Sequence, residues 1–222
     1  MKKKKMDTKK LTIIAMLCAL AVLAVIVFPH IPVLAEYLTY EPKDVVIVMG
    51  GLMMGPAASA IISVISSVIE MVTVSKTGPW GLLMNVVSSC AYACTAAAIY
   101  KKKRTADGAV ASLLCGTAAM ALMMLLWNDL VTPIYTGMPR GAVAGMLLPV
   151  FLPFNLVKGG LNTGITLLVY KPLITALRKA RVLDGMGRAE KASMKLDPAM
   201  LALGAVLIVG GVLLVMRFNG IF

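Results

Sequence analysis

The sequence predicts an all-α integral membrane protein, a six-helix bundle with an additional transmembrane helix at its C-terminal end. Three observations carry this. The 222 residues are 59% hydrophobic and only 14% charged, against roughly 25% charged in soluble domains, and mean hydropathy is +0.89. The apolar runs are long and unbroken, not the ten-residue alternating segments of a barrel. The basic residues fall between those runs: of the 22 Lys and Arg, seventeen lie within residues 2–10, 101–104 and 171–195.

That distribution places the three basic segments on one side of the membrane, the cytoplasmic side. The net charge of +12 is then a matter of topology and contact with anionic lipid. Nucleic-acid binding needs a folded basic face with base-reading groups, and the sequence offers none. The first apolar run is long enough to span and is not followed by a small-residue cleavage site, so it reads as a helix and not a signal. Cys18, Cys90, Cys94 and Cys115 all sit in apolar runs and read as small buried hydrophobes, without the tight four-ligand spacing of zinc. One bundle accounts for the length: a basic cytoplasmic tail over 1–10, a membrane domain over 11–180, a basic linker over 181–198 and a seventh helix within 199–222.

Helix one is expected over about 11–28, ended by Pro29 and Pro32. Its Ala15 and Ala19 form a small-xxx-small pair, which reads either as a face for a partner helix or as ordinary alanine packing. Residues 30–44 read as an outer segment. Its Glu36, Tyr37, Thr39, Tyr40, Glu41, Lys43 and Asp44 suit either a functional lid or a headgroup-level loop. Helices two and three, over about 45–54 and 56–74, are separated by Gly55-Pro56. Helix three carries Ser59, Ser63, Ser66, Ser67 and Glu70 on one face; the serines read as packing and Glu70 as interfacial. A short outer turn over 75–81 contains Thr77 and Gly78. Helix four follows over 82–100, with Asn85, Ser89 and Tyr92 on one face, and helix five over about 109–131. A second outer turn covers 135–145, and helix six runs over about 153–177. The seventh runs over 199–216.

The stretch from Leu152 to Asn162 is the most informative. In a helix, Asn155, Lys158 and Asn162 share one face. A lysine and two amides in lipid are costly unless they meet something polar. Snorkelling of Lys158 and interhelical bonding of the amides are the bland readings. Tyr40, Glu41, Gly78, Asn85, Asn128, Asp129, Asn155 and Lys158, with Trp80 and Trp127, all fall toward the same predicted end, as a cavity for a flat, hydrogen-bonding ligand would need. Hydrolase, zinc-protease and P-loop signatures are lacking, so the chain reads as a non-enzyme, and a pump would need its energy from another subunit.

Leu152-Pro153-Phe154-Asn155-Leu156-Val157-Lys158-Gly159 resembles the sixth-helix signature of the riboflavin-specific substrate-binding (S) components of energy-coupling factor (ECF) transporters. The Ala15/Ala19 pair, the Gly55-Pro56 and Thr77-Gly78 turns, Asn128 and the Tyr170-Lys171 pair agree with it over about residues 10–180. The resemblance implies a six-helix S-component bundle in the bacterial cell membrane that takes a vitamin from outside, riboflavin or flavin mononucleotide (FMN), with no cofactor beyond the transported ligand. It implies docking through Ala15 and Ala19 onto a transmembrane coupling subunit carrying two cytoplasmic ATPases. It implies that Asn155 and Lys158 bond the ligand, with Asn128, Thr39, Tyr40, Thr77 and Gly78 matching further contacts; Asn85 joins them from its place at the same end. Three features depart from the riboflavin pattern: the stretch Tyr40-Glu41-Pro42-Lys43-Asp44, Asp129 after Asn128, and the seventh helix. Another vitamin or heterocycle, a lipid-acting membrane enzyme and a ligand-free assembly subunit stand as alternatives.

Overall fold

The computed structural model describes residues 8–28, 31–35, 38–75, 77–179 and 198–218. The first seven residues of the basic tail, His30, Glu36, Tyr37, Lys76 and nearly all of the basic linker lie outside them. The described chain forms helices α1 (Thr8–Val27), α2 (Lys43–Met54), α3 (Pro56–Thr73), α4 (Gly78–Lys102), α5 (Ala106–Leu130), α6 (Thr132–Thr136), α7 (Arg140–Met146), α8 (Leu152–Lys179) and α9 (Pro198–Phe218). Strands β1 (Ile31–Ala35) and β2 (Leu38–Tyr40) form one antiparallel pair. Six helical stretches among the described residues are long and apolar enough to cross a membrane. The protein is a multi-pass, all-α membrane protein, as its composition predicts.

The short helix α2 is the centre. Its 12 residues span only ~18 Å, less than a ~30 Å hydrocarbon core. It packs against α1, α3, α4 and α8, and all but Val46 and Met54 are buried. Glycine makes the closest approach feasible: a Cβ on Gly51 would lie 1.9 Å from Ser59 Oγ and 2.9 Å from the Ala97 methyl. Ser59 in turn donates to the Ile47 carbonyl of α2 at 3.3 Å, and Ser66 to Ile62 in its own helix at 2.7 Å. These serines thus serve packing, as read from their spacing.

Around α2 the helices show lipid on one side and the core on the other. In α1, Ile13, Ile14, Leu17, Cys18, Ala21 and Val25 are buried at helical period, while Leu11, Met16, Leu20, Leu23 and Val27 are exposed. Such an apolar surface would aggregate in water and is what a bilayer covers.

Several boundaries differ from the sequence reading. Residues 30–44 are not a plain loop. Ile31 pairs with Tyr40, Pro32 with Thr39 and Ala35 with Leu38, and α2 begins at Lys43, so Lys43 and Asp44 are helical and wholly buried. Apolar and β-branched residues favour the pairing, and Pro42 supplies the turn into the helix. Helix four begins at Gly78, with Pro79 in its first turn. The second outer turn holds two short helices, each started by a proline, Pro133 and Pro139. Helix six is preceded without a break by a π-helical turn, Leu147–Phe151. Pro153 has no N–H to give the carbonyl four residues back, and its ring crowds that carbonyl. The chain widens there, Leu152 N–H reaching the Leu147 carbonyl instead.

The seventh helix packs along α8. The two cross where Gly164 meets Gly204: a Cβ on Gly164 would lie 2.8 Å from the Gly204 carbonyl oxygen, and one on Gly204 3.1 Å from that of Gly164. Such small residues let membrane helices approach. At the far end of α9, Val215 packs against the buried cluster of Tyr40, Phe154, Val157 and Leu161. A Gly204→Leu substitution is expected to wedge the helices apart and cost about 1–3 kcal/mol, read as a lower thermal unfolding midpoint of the detergent-solubilised protein; Ala202→Leu, away from the crossing, serves as the control.

Candidate functional site

One end of the bundle gathers polar groups from five segments of the chain. β2 brings Leu38 and Thr39, and the chain after it brings Glu41. α4 brings Met84, Asn85 and Ser88, and α5 brings Met124 and Asn128. The π turn and α8 bring Phe151, Phe154, Asn155 and Lys158. Together they wall a cavity of about 50 Å³. Two further hollows, of about 350 Å³ each, are lined by apolar side chains alone, one between α8 and α9 and one beside α1. They lack the few polar groups that orient a ligand, whereas the smaller cavity has six polar or charged side chains besides Ser88.

Behind the cavity lies a chain of buried charges. Lys43, at the first position of α2, pairs with Glu41 at 3.0 Å and with Glu70 of α3. Asn85 Nδ2 donates to the other Glu70 oxygen at 3.4 Å. Asp44, fully buried, lies 3.4 Å from Lys158 Nζ and accepts from Ser89 Oγ at 2.5 Å and Asn162 Nδ2 at 3.4 Å. Tyr40 completes the chain by donating to Asn162 Oδ1 at 2.9 Å. Burial, with the Asp44 carboxylate and Tyr92 beside it, pushes the Tyr40 hydroxyl well above the ordinary phenol range, so it keeps its proton and stays a donor. Asp44 also lies in the first turn of α2, where the helix dipole favours an anion.

The structure brings together five of the sequence-predicted residues, Thr39, Asn85, Asn128, Asn155 and Lys158, on one cavity wall. The local geometry of two is shared: Asn128 Nδ2 donates to Met124 O, and Asn155 Nδ2 to Phe151 O, both at 2.7 Å. Tyr40 stands behind the wall, joined to it through Asn162. Thr77 and Gly78 lie at the start of α4, where Thr77 Oγ1 shares a 2.9 Å hydrogen bond with Ser75, and they are not among the wall residues. Ala15 and Ala19 lie on the exposed face of α1. Lys158 does not snorkel; it turns inward to Asp44. Glu70 is not interfacial but buried and paired with Lys43, because α3 presents it to the start of α2. Asp129 is bound at the surface by Arg140, at 2.5 Å.

Sequence reasoning grouped Glu41 with the cavity end without giving it a ligand contact, and missed Lys43 and Asp44 as members of the site, and with them Ser88, Phe151 and Phe154. A signal was present. Three charges within four residues directly before an apolar run, with a lone glutamate in the next helix, form a complementary set that a membrane interior demands.

The description "ECF transporter, substrate-specific component" matches residues 9–170 of the chain. The chain belongs to that family. Relatives of known function agree. The riboflavin transporter FmnP of Bacillus subtilis (strain 168) is 32% identical over 190 residues, covering 80% of this chain and 100% of the relative. The riboflavin transporter RibU of Staphylococcus aureus (strain TCH60) is 30% identical over 180 residues, covering 78% and 94%. A solved structure of the S component of a bacterial ECF transporter superposes with a TM-score of 0.66 at 29% identity, covering 77% of this chain and 98% of that one. In this substrate-specific component α9 lies outside the matched residues, and the cavity, from Thr39 to Lys158, lies wholly within them.

The buried charges depend on one another. Asp44→Ala is expected to strand Lys158 without its carboxylate and to cost about 3–5 kcal/mol, visible as loss of folded, monodisperse protein on size-exclusion chromatography and a depressed unfolding midpoint. Asp129→Ala, which breaks an exposed pair, should leave the unfolding midpoint essentially unchanged.

Proposed function

We propose that this substrate-specific component binds riboflavin from outside the cell and delivers it inward with an ATP-driven coupling module. The observation that carries the reading is the convergence of Asn128, Asn155, Lys158 and Thr39 of the hairpin on one cavity, in a chain whose named relatives are riboflavin transporters. Apolar and aromatic side chains, Met84, Met124, Phe151 and Phe154, supply area for a flat ring system, and the amides and lysine supply orientation. A cavity of about 50 Å³ is smaller than the ~300 Å³ or more of a drug-sized ligand site. Loading therefore requires the wall to open, and the two-stranded hairpin is the element that moves most cheaply, since an isolated pair of strands has little stability of its own.

The basic segments, on this reading, face the cytoplasm, in a cell membrane. The cavity end then faces outward. Ala15 and Ala19 leave a smooth strip on the exposed face of α1 that another membrane helix can approach, and we assign it to the coupling subunit, which in turn joins two cytoplasmic ATPases. No catalytic role is assigned to any residue of this chain.

Two measurements test the reading. Purified protein titrated with riboflavin, followed by flavin or tryptophan fluorescence, should show saturable binding. Lys158→Ala and Asn155→Ala should each weaken it: a hydrogen bond to a charged group contributes about 1.5–3 kcal/mol, or roughly ten- to a hundredfold in Kd. Unchanged affinity in Lys158→Ala would remove that residue from the site. Replacing Ala15 and Ala19 together by leucine should leave riboflavin binding intact while abolishing uptake by cells that express the coupling module.

A further inference from the structure

The seventh membrane helix lies outside the family-matched residues 9–170, yet it reaches the hairpin. One stripe of α9 makes the contacts: Gly204, Gly211 and Val215 share a face of the helix. Gly204 meets Gly164 of α8. A Cβ on Gly211 would lie 2.7 Å from Leu161 Cδ2, so only glycine fits there unless Leu161 shifts. Val215, one turn on, packs against the buried cluster of Tyr40, Phe154, Val157 and Leu161. Leu38 of β2 packs against that same cluster, and α9 also lies against β1. The hairpin therefore rests on α8 and α9 together. Its own ladder is small: β2 has 3 residues, and the register shifts between Pro32 and Ala35. Such a pair is held by what it packs on more than by its own hydrogen bonds.

We propose that α9 is a strut for the hairpin and sets how often the cavity opens. Leu38 and Thr39 line the cavity, so they move if that wall opens. Moving Leu38 strips it from the cluster that Val215 backs. The seat has a polar half as well, the Tyr40–Asn162 hydrogen bond at 2.9 Å, which lies within the family-matched segment. The apolar half supplied by α9 is an addition to that segment. No residue of α9 lines the cavity, so its influence on a ligand is through the hairpin. The strut stabilises the shut hairpin whether or not a ligand is inside. Removing a contact that the empty and the loaded shut forms share raises the open fraction of both by the same factor. Entry and exit then accelerate together, and Kd is unmoved. Loss of a ligand contact has a different signature: exit accelerates, entry does not, and Kd rises. The link to ligand exchange rests on the riboflavin reading; the control of hairpin opening does not.

Two measurements on the full chain in detergent test this, comparing Val215→Ala with Val212→Ala, an exposed position of the same helix. Hydrogen–deuterium exchange of the hairpin amides, with no ligand present, reads opening directly. Val215→Ala is expected to exchange about three- to tenfold faster than wild type, the effect of removing about one or two methyl groups from the seat, and Val212→Ala to exchange at the wild-type rate. Tyr40→Phe, which removes the polar half of the seat, should accelerate exchange by about two- to tenfold. Stopped-flow quenching of riboflavin fluorescence then reads ligand exchange: in Val215→Ala the association and dissociation rate constants should rise by the same factor, about three- to tenfold, with Kd unmoved. Hairpin exchange in Val215→Ala no faster than in wild type overturns the strut. Faster dissociation alone, with a weaker Kd, overturns it too, because Val215 would then act on the loaded form only. Failure of wild type to bind riboflavin overturns the riboflavin reading, and hydrogen exchange still decides the strut.

Discussion

Burying Lys43 and Asp44 side by side at the start of a helix is the constraint around which this protein is arranged. Each charge would be prohibitively costly alone in a membrane interior. Each is tolerated because a different helix supplies its counter-charge: Glu70 from α3 for Lys43, and Lys158 from α8 for Asp44. Two adjacent residues therefore couple α2 to two different neighbours. Ser89 of α4 and Asn162 of α8 complete the shell of Asp44. The same contacts that hold the bundle together at this end also define the back wall of the cavity, so stability and binding geometry are not separable here.

The hairpin and the π turn depend on that centre. β2 leads through Glu41 and Pro42 directly into α2, and Tyr40 is hydrogen-bonded to Asn162 beneath the cavity. Thr39 thus reaches the wall from an element tethered at its base and thin above it, a combination suited to opening without loss of register. Across the cavity, prolines at 149 and 153 widen the helix, and π turns of this kind recur at functional sites. Lys158 follows within two turns of the widening, aimed at Asp44 and not at lipid.

The added helix, α9, changes the flank of the molecule without touching the face of α1 that carries Ala15 and Ala19. Its glycine crossing with α8 is close enough that larger side chains could not be seated there, and Val215 reaches the cluster that includes Tyr40. The helix beyond the family-matched segment therefore buttresses the end of the bundle where the hairpin sits, while the surface assigned to the coupling subunit is open.

Much was legible in the chain before its structure. Composition and unbroken apolar runs determine a helical membrane protein, because a bilayer admits no other use for such segments. The spacing of Asn155 and Lys158 determines that they share a face, because helical period alone sets that. The Leu152–Gly159 motif pointed to the family that the comparisons show. What the sequence could not decide was which polar groups meet. Lys43, Asp44 and Glu70 looked peripheral because each lay at the edge of an apolar run, where a charge can equally reach water. Only the tertiary structure, by burying the start of α2 and bringing Glu70 of α3 and Lys158 of α8 to it, turned those three edges into one interior. Long-range pairing of opposite charges, 27 residues apart in one case, leaves no local period to read, and the packing of helices alone selects it.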